Sequence, residues 1–225
     1  MRKALIGAAF LVGLTAAPAL AGDPYTSPYD GGAFGSSYLG LRGSIIDGAD
    51  THTTASAVDV RAHYGTGFGG SAYIGTRLGY GFRLEGELKY DHFTLDNLNL
   101  AGVPQAGRHG YQQIAAPMAN IFWDPPVPDF IVRPFIGAGV GGAYIDTHDS
   151  IGSAQIVGTD NWRFAWQLMG GVALPLSQTS RLTGMYRYFR VEDVGYRCTP
   201  PALPTTACKA NAIDQSIDLG LEFDM

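Results

Sequence analysis

Between Arg83 and Phe93 the chain alternates without a break: Leu84, Gly86, Leu88 and Tyr90 are interleaved with Glu85, Glu87, Lys89 and Asp91. A period of two sends these two sets to opposite faces of an extended strand, whereas a helix would distribute both around its axis. One face of such a strand suits an apolar medium and the other suits charge. This pairing constrains the fold more than any other feature of the chain.

Seven further segments carry the same pattern, giving strands over 37–46, 68–80, 83–93, 111–123, 133–146, 162–176, 181–192 and 213–223. In the first, Leu39, Leu41 and Ile45 oppose Tyr38, Arg42 and Ser44. In the last, Ile217, Leu219, Leu221 and Phe223 oppose Ser216, Asp218, Gly220 and Glu222. Pro117 is awkward in the fourth, because it cannot donate to a ladder. The links after the second, fourth and sixth strands are short (79–82, 124–132 and 175–180), and the others are polar and run to about twenty residues. An even number of strands with alternating short and long links predicts an all-β fold: an eight-stranded antiparallel up-and-down transmembrane β-barrel, with short periplasmic turns and long extracellular loops.

The first residues agree with that destination. Arg2 and Lys3 precede an apolar run, and Ala19-Leu-Ala21 has the small-x-small pattern of a cleavage site, which predicts a secretory signal peptide over 1–21. Residues 22–35, rich in Pro, Gly and Tyr, read as an extended periplasmic lead-in, and 36–225 as the outer-membrane barrel domain. Cleavage removes two basic residues and no acid, so the net charge moves from −5 to −7, with 13 basic against 20 acidic residues. That excludes a basic nucleic-acid footprint. With 31 glycines, 12% aromatic residues and few helical periodicities, helix content should be low.

The cost of exposing charge to lipid assigns the faces. Arg42, Arg77, Glu85, Glu87, Lys89, Arg187, Asp218 and Glu222 all lie on the non-aliphatic side, and an outward basic residue at midplane costs about 2–4 kcal/mol. They must point inward. Eight strands leave an interior that side chains fill, so these mixed charges are expected to pair as a lumenal network. Gly137, Gly139, Gly141 and Gly171, also inward, leave room for the long arginines. Aromatic residues near strand ends, such as Tyr80, Phe82, Trp123, Trp162 and Phe223, fit interfacial girdles.

Other chemistry is thinly represented. Cys198 and Cys208 lie close together, and in an oxidising periplasm a local disulfide is expected, with two free thiols or half a metal site as alternatives. His52, His63, His92, His109 and His148 fall at one end of this topology near several aspartates. They are either a metal or pH-sensing cluster or ordinary solvated loop histidines, and no pair has a ligand spacing. Gly137-x-Gly-x-Gly141 lies inside a strand with no helix after it, so it fails as a phosphate loop. Ser216 has no histidine in its strand, and Glu85 and Glu87 beside Lys89 suit a salt-bridge network better than acid–base work. No catalytic residue, cofactor or metal is expected.

Tyr38-Leu-Gly-Leu-Arg42, Met118-Ala-Asn-Ile-Phe-Trp-Asp124, Pro134-Phe-Ile-Gly-Ala-Gly-Val-Gly-Gly142, Ala165-Trp-Gln-Leu-Met-Gly-Gly-Val172, Tyr186-Arg-Tyr-Phe189 and the stretch 216–221 resemble a known family. It comprises the small porin-family or OmpA-like surface antigens of alphaproteobacteria, typified by the 25–31 kDa outer-membrane proteins of Brucella. The resemblance covers most of 36–225 and rests on framework residues. It implies an outer-membrane location, assembly through periplasmic chaperones and the barrel-assembly machinery, contact with outer-membrane lipid and lipopolysaccharide, and loops open to host or envelope proteins. Such barrels usually end in an aromatic residue, whereas here Met225 stands in that position with Phe223 two back on the same face. The expected function is a structural and surface-presenting barrel with a plugged lumen. A narrow porin for small solutes, a loop-based adhesin or receptor, and a barrel-based lipid A enzyme are the alternatives.

Overall fold

The computed structural model describes residues 36–47, 50–55, 58–100, 103–104, 108–125, 132–151, 154–198 and 206–225. The expected signal peptide and the 22–35 lead-in lie outside these residues. The described residues form eleven strands: β1 (Ser37–Asp47), β2 (Asp50–Ala55), β3 (Val58–Tyr64), β4 (Gly67–Gly79), β5 (Phe82–Leu100), β6 (Val103–Pro104), β7 (Arg108–Trp123), β8 (Arg133–Ile151), β9 (Ala154–Pro175), β10 (Ser180–Cys198) and β11 (Thr206–Asp224). Eight of them close a ring, every neighbour antiparallel, in the order β1-β4-β5-β7-β8-β9-β10-β11 and back to β1. These are the eight strands that the alternation predicts, on the expected faces.

The ladder itself gives the stagger of the barrel. One way round from Gly43, the rungs pass Gly70, Tyr90, Ala115 and Tyr144 to Trp162 on β9. The other way they pass Leu219 and Gly184 to Val172, also on β9. Trp162 and Val172 are ten residues apart, so the shear is ten for eight strands. That corresponds to a strand tilt of roughly 40° and an interior just wide enough for side chains to fill.

One end of the barrel is tightly turned. β4 and β5 meet through Tyr80 and Gly81, with φ values of 51° and 80°, the positive pair a type I′ hairpin requires. β9 and β10 are joined by 176–179, where Leu176 N–H donates to the Ser180 carbonyl at 2.9 Å. At the other end the long connections are present, but much of their length is paired strand. β8 and β9 run on until only residues 152–153 separate them, and a β2–β3 hairpin fills most of the β1–β4 link and pairs with the end of β5. The pattern fades there for a physical reason. It is lipid on one face that selects the alternation, so a ladder can continue past the lipid without the period that reveals it.

The wall is inverted relative to a water-soluble protein. Leu41, Ile45, Leu88, Ile217 and Leu219 point outward and are exposed, while Arg42, Glu87, Lys89, Arg187 and Asp218 point inward and are buried. Pro117 faces outward, and its β7–β8 ladder lacks the rungs at Ala116 and Pro117 before resuming at Met118.

Candidate functional site

The interior is stratified along the barrel axis. Toward the long-connection end the inward side chains are largely apolar: Ile46, Phe93, Ile114, Ile145, Phe189, Val191, Val194 and Ala212 are all buried, around Asp91, Asp214 and a Gln112–Thr147 hydrogen bond of 3.0 Å. The middle is charged. Below it, Phe122, Phe135, Met169, Ala173 and Met185 form an apolar cluster on one wall, and a ring of arginines and acids borders the short-turn mouth.

Glu87 is the hub of the middle layer. Its carboxylate accepts from Arg187 Nη2 at 2.7 Å and Nη1 at 3.0 Å, from Asn120 Nδ2 at 2.8 Å, from Gln167 Nε2 at 3.1 Å and from Arg42 Nη1 at 3.4 Å. β5 and β10 are four places apart in a ring of eight, so the Glu87–Arg187 pair crosses the lumen from wall to opposite wall. Arg187 spends its remaining donors on Asp218 Oδ2 at 2.8 Å and Gln167 Oε1 at 2.7 Å, and Ser216 donates to Asp218 at 2.7 Å. Arg42 adds a link to Glu85 at 2.8 Å, with its guanidinium 3.5 Å from the Tyr73 ring centroid. A charged group in such a place is tolerable only because opposite charges and hydrogen-bond partners surround it, and removing one partner strands the other.

All eight residues singled out from the sequence lie on the inner face, but they form three groups rather than one. Arg42, Glu85, Glu87, Arg187 and Asp218 make the hub. Lys89 sits on the inner face nearer the long-connection end with Asp91, 3.8 Å from Asp214 and 4.5 Å from the Phe189 ring centroid. Arg77 and Glu222 meet at the mouth, 3.1 Å apart, with Arg181 2.9 Å from the same carboxylate oxygen. Arg83 connects hub and mouth: it holds Asp124 through two bonds of 3.0 and 3.1 Å and lies 3.4 Å from Glu85 and 3.6 Å from Glu222. Burial lifts the Asp124 carboxyl above its usual range, and the Arg83 guanidinium pulls it the other way.

Sequence reasoning missed Arg83, Arg181, Asp91, Asp214, Asn120 and Gln167 as members. Arg83 and Asp91 share the parity of Glu85 and Glu87, a usable signal. Asn120 and Gln167 carry no charge, so an argument from the cost of charge in lipid passes over them. The inward glycines serve other tenants than the arginines expected of them. A Cβ at Gly137 would strike the Phe122 ring, one at Gly139 the Asn120 amide, one at Gly141 Met118 and one at Gly171 Met185. Gly220 does lie against the stem of Arg42.

Among the described residues no group of three His, Cys, Asp or Glu side chains is placed to hold a metal ion. His92 faces outward and stacks on Tyr111 with centroids 6.2 Å apart. The side chains of His52, His63, His109 and His148 lie outside the described residues. So do those of Cys198 and Cys208, whose backbones stand opposite Thr206 and Tyr196.

No protein-family profile matches the chain. An uncharacterized protein of Brucella abortus is 37% identical over 84 residues, covering 33% of this chain and 29% of that protein. Uncharacterized proteins of Brucella suis and Brucella melitensis match to the same extent, so the chain aligns with under a third of the length of these relatives. Among solved structures, Neisserial surface protein A covers 86% of this chain and 100% of its own at a TM-score of 0.52 and 13% identity. The outer-membrane protein OprG of Pseudomonas aeruginosa covers 86% and 99% at 0.54 and 12% identity. A major outer-membrane protein of Thermus thermophilus covers 85% and 100% at 0.54 and 13% identity. At such identities the likeness is one of fold. An apolar outer belt around a polar interior is the construction of a membrane-spanning barrel, and the chain is an eight-stranded barrel of the outer membrane.

Proposed function

We propose that this protein is a non-catalytic structural and surface-presenting barrel, kin to the Brucella surface antigens, whose lumen is filled rather than open. It stabilises the envelope through its belt and presents its outer hairpins to the exterior. Outer-membrane lipid and lipopolysaccharide surround it, periplasmic chaperones and the barrel-assembly machinery deliver it, and a host or envelope protein is the natural class of partner for the hairpins. The observation that carries the filled-lumen reading is the Glu87–Arg187 pair, which spans the interior with both side chains all but inaccessible to water. A solute path through the middle layer would have to part that pair and strip Asn120 and Gln167 from the same carboxylate.

The test is planar-bilayer recording on the full chain refolded into lipid, after a heat-dependent gel shift has verified folding. The expected result is a folded barrel with no steady conductance. Reproducible channel steps from the unaltered chain would overturn the filled lumen and favour a narrow porin.

A further inference from the structure

At the short-turn mouth the barrel is tied across its own seam. β1 and β11 are the first and last strands of the ring, so their pairing closes it. Arg77 stands on β4, on the far side of β1 from β11, yet its Nη2 lies 3.1 Å from Glu222 Oε1 and 2.6 Å from Asp224 Oδ1. Its Nη1 donates to Ser36 Oγ at 3.1 Å and its backbone N–H to the Ser36 carbonyl at 3.2 Å, fixing the start of β1 as it passes beneath. The guanidinium carbon is 4.8 Å from the centroid of Tyr38, a ring that leans across β4 where Gly75 has no side chain. From the other side, Met225 N–H donates to the Ser37 carbonyl at 2.9 Å.

Arg181 contrasts with Arg77 in an informative way. It also holds Glu222, at 2.9 Å, but β10 and β11 are adjacent and Arg181 is the rung partner of Glu222. That contact is available to a lone β10–β11 hairpin. The Arg77 contacts are not, because β4 and β11 come within reach only once β1 is seated between them. We propose that Arg77 is a latch on the closing seam: its ion pairs with Glu222 and Asp224 form after β1 and β11 have paired, and they hold the ring shut from the periplasmic end. Interactions absent from the transition state for closure slow opening without speeding formation. The latch therefore governs how long a closed barrel lasts.

The experiment compares folding and urea-driven unfolding rates of the full chain in lipid vesicles, followed by heat-dependent gel mobility. Arg77→Gln should unfold about tenfold faster, while its folding rate stays within about twofold of the parent. Asp224→Asn, which leaves Glu222 in place, should move unfolding in the same direction by less. Arg181→Gln should slow folding as well. A second measurement separates a seam latch from general stabilisation. Leu39 and Phe223 face each other across the seam, both outward. Replacing both by Cys in a Cys198→Ser, Cys208→Ser background and oxidising the pair staples the seam covalently, and Arg77→Gln should then have no effect on unfolding. An undiminished effect in the stapled barrel would overturn the latch. So would a folding rate slowed as much as unfolding is accelerated, or an Arg77→Gln chain that cannot fold.

Discussion

Leu88 and Glu87 are chain neighbours on β5 that live in different solvents. Leu88 is 60% exposed, points into the membrane and stands among other outward side chains of no particular shape. Glu87 is 4% exposed and accepts hydrogen bonds from side chains on β1, β7, β9 and β10. Lipid asks of Leu88 only that it be apolar. The interior asks of Glu87 a particular charge, length and direction, because its partners have nowhere else to turn. The outer face is thus specified by composition and the inner face by geometry, and the same strand satisfies both because its side chains alternate.

The contrast can be broken most forcefully from inside. Glu87→Ala leaves Arg187 and Arg42 short of their shared partner in a dry interior, and should cost about 3–5 kcal/mol in urea unfolding of the refolded barrel. A loss below about 1 kcal/mol would mean that water enters the middle layer and that the inner face is less exacting than its hydrogen bonds suggest. From outside, Leu88→Arg should cost about 2–4 kcal/mol by the same measurement, whereas exchange of Leu88 for another large apolar residue should scarcely register. The finest version puts one substitution on both faces. Gly139→Ala drives a methyl into Asn120 and should destabilise by about 1–3 kcal/mol, while Gly86→Ala, with open space beyond its backbone, should stay within about 0.5 kcal/mol of the parent. Equal effects of the two would sink the distinction.

That distinction also explains what could be read from the sequence. The eight strands of the ring, their faces and the inward position of Arg42, Glu87 and Arg187 follow from parity and from the cost of charge in lipid. Which inward residues touch does not, because partners such as Glu87 and Arg187 stand a hundred residues apart and meet only through the shear of the ring. Asn120 and Gln167 carry no charge to mark them, and Gly139, which the sequence offers as space for an arginine, seats Asn120. The strand extensions past the alternating segments carry no period of two, so the sequence offers nothing to tell them from loops.

The layering of the interior has an electrical consequence. An ion crossing this barrel would meet two obstacles in series: the crossed ion pairs at Glu87, and, nearer the exterior, a layer in which Ile46, Phe93, Ile114, Ile145 and Phe189 crowd around Lys89, Asp91 and Asp214. Obstacles in series add their resistances, so removing one leaves the current limited by the other. The second layer resists through the bulk of its apolar side chains and an ion pair of its own, and no change of charge at the hub relieves either. A chain altered at Glu87 should therefore lose stability long before it gains conductance, and silence in a bilayer and fragility in urea are compatible properties of the same variant.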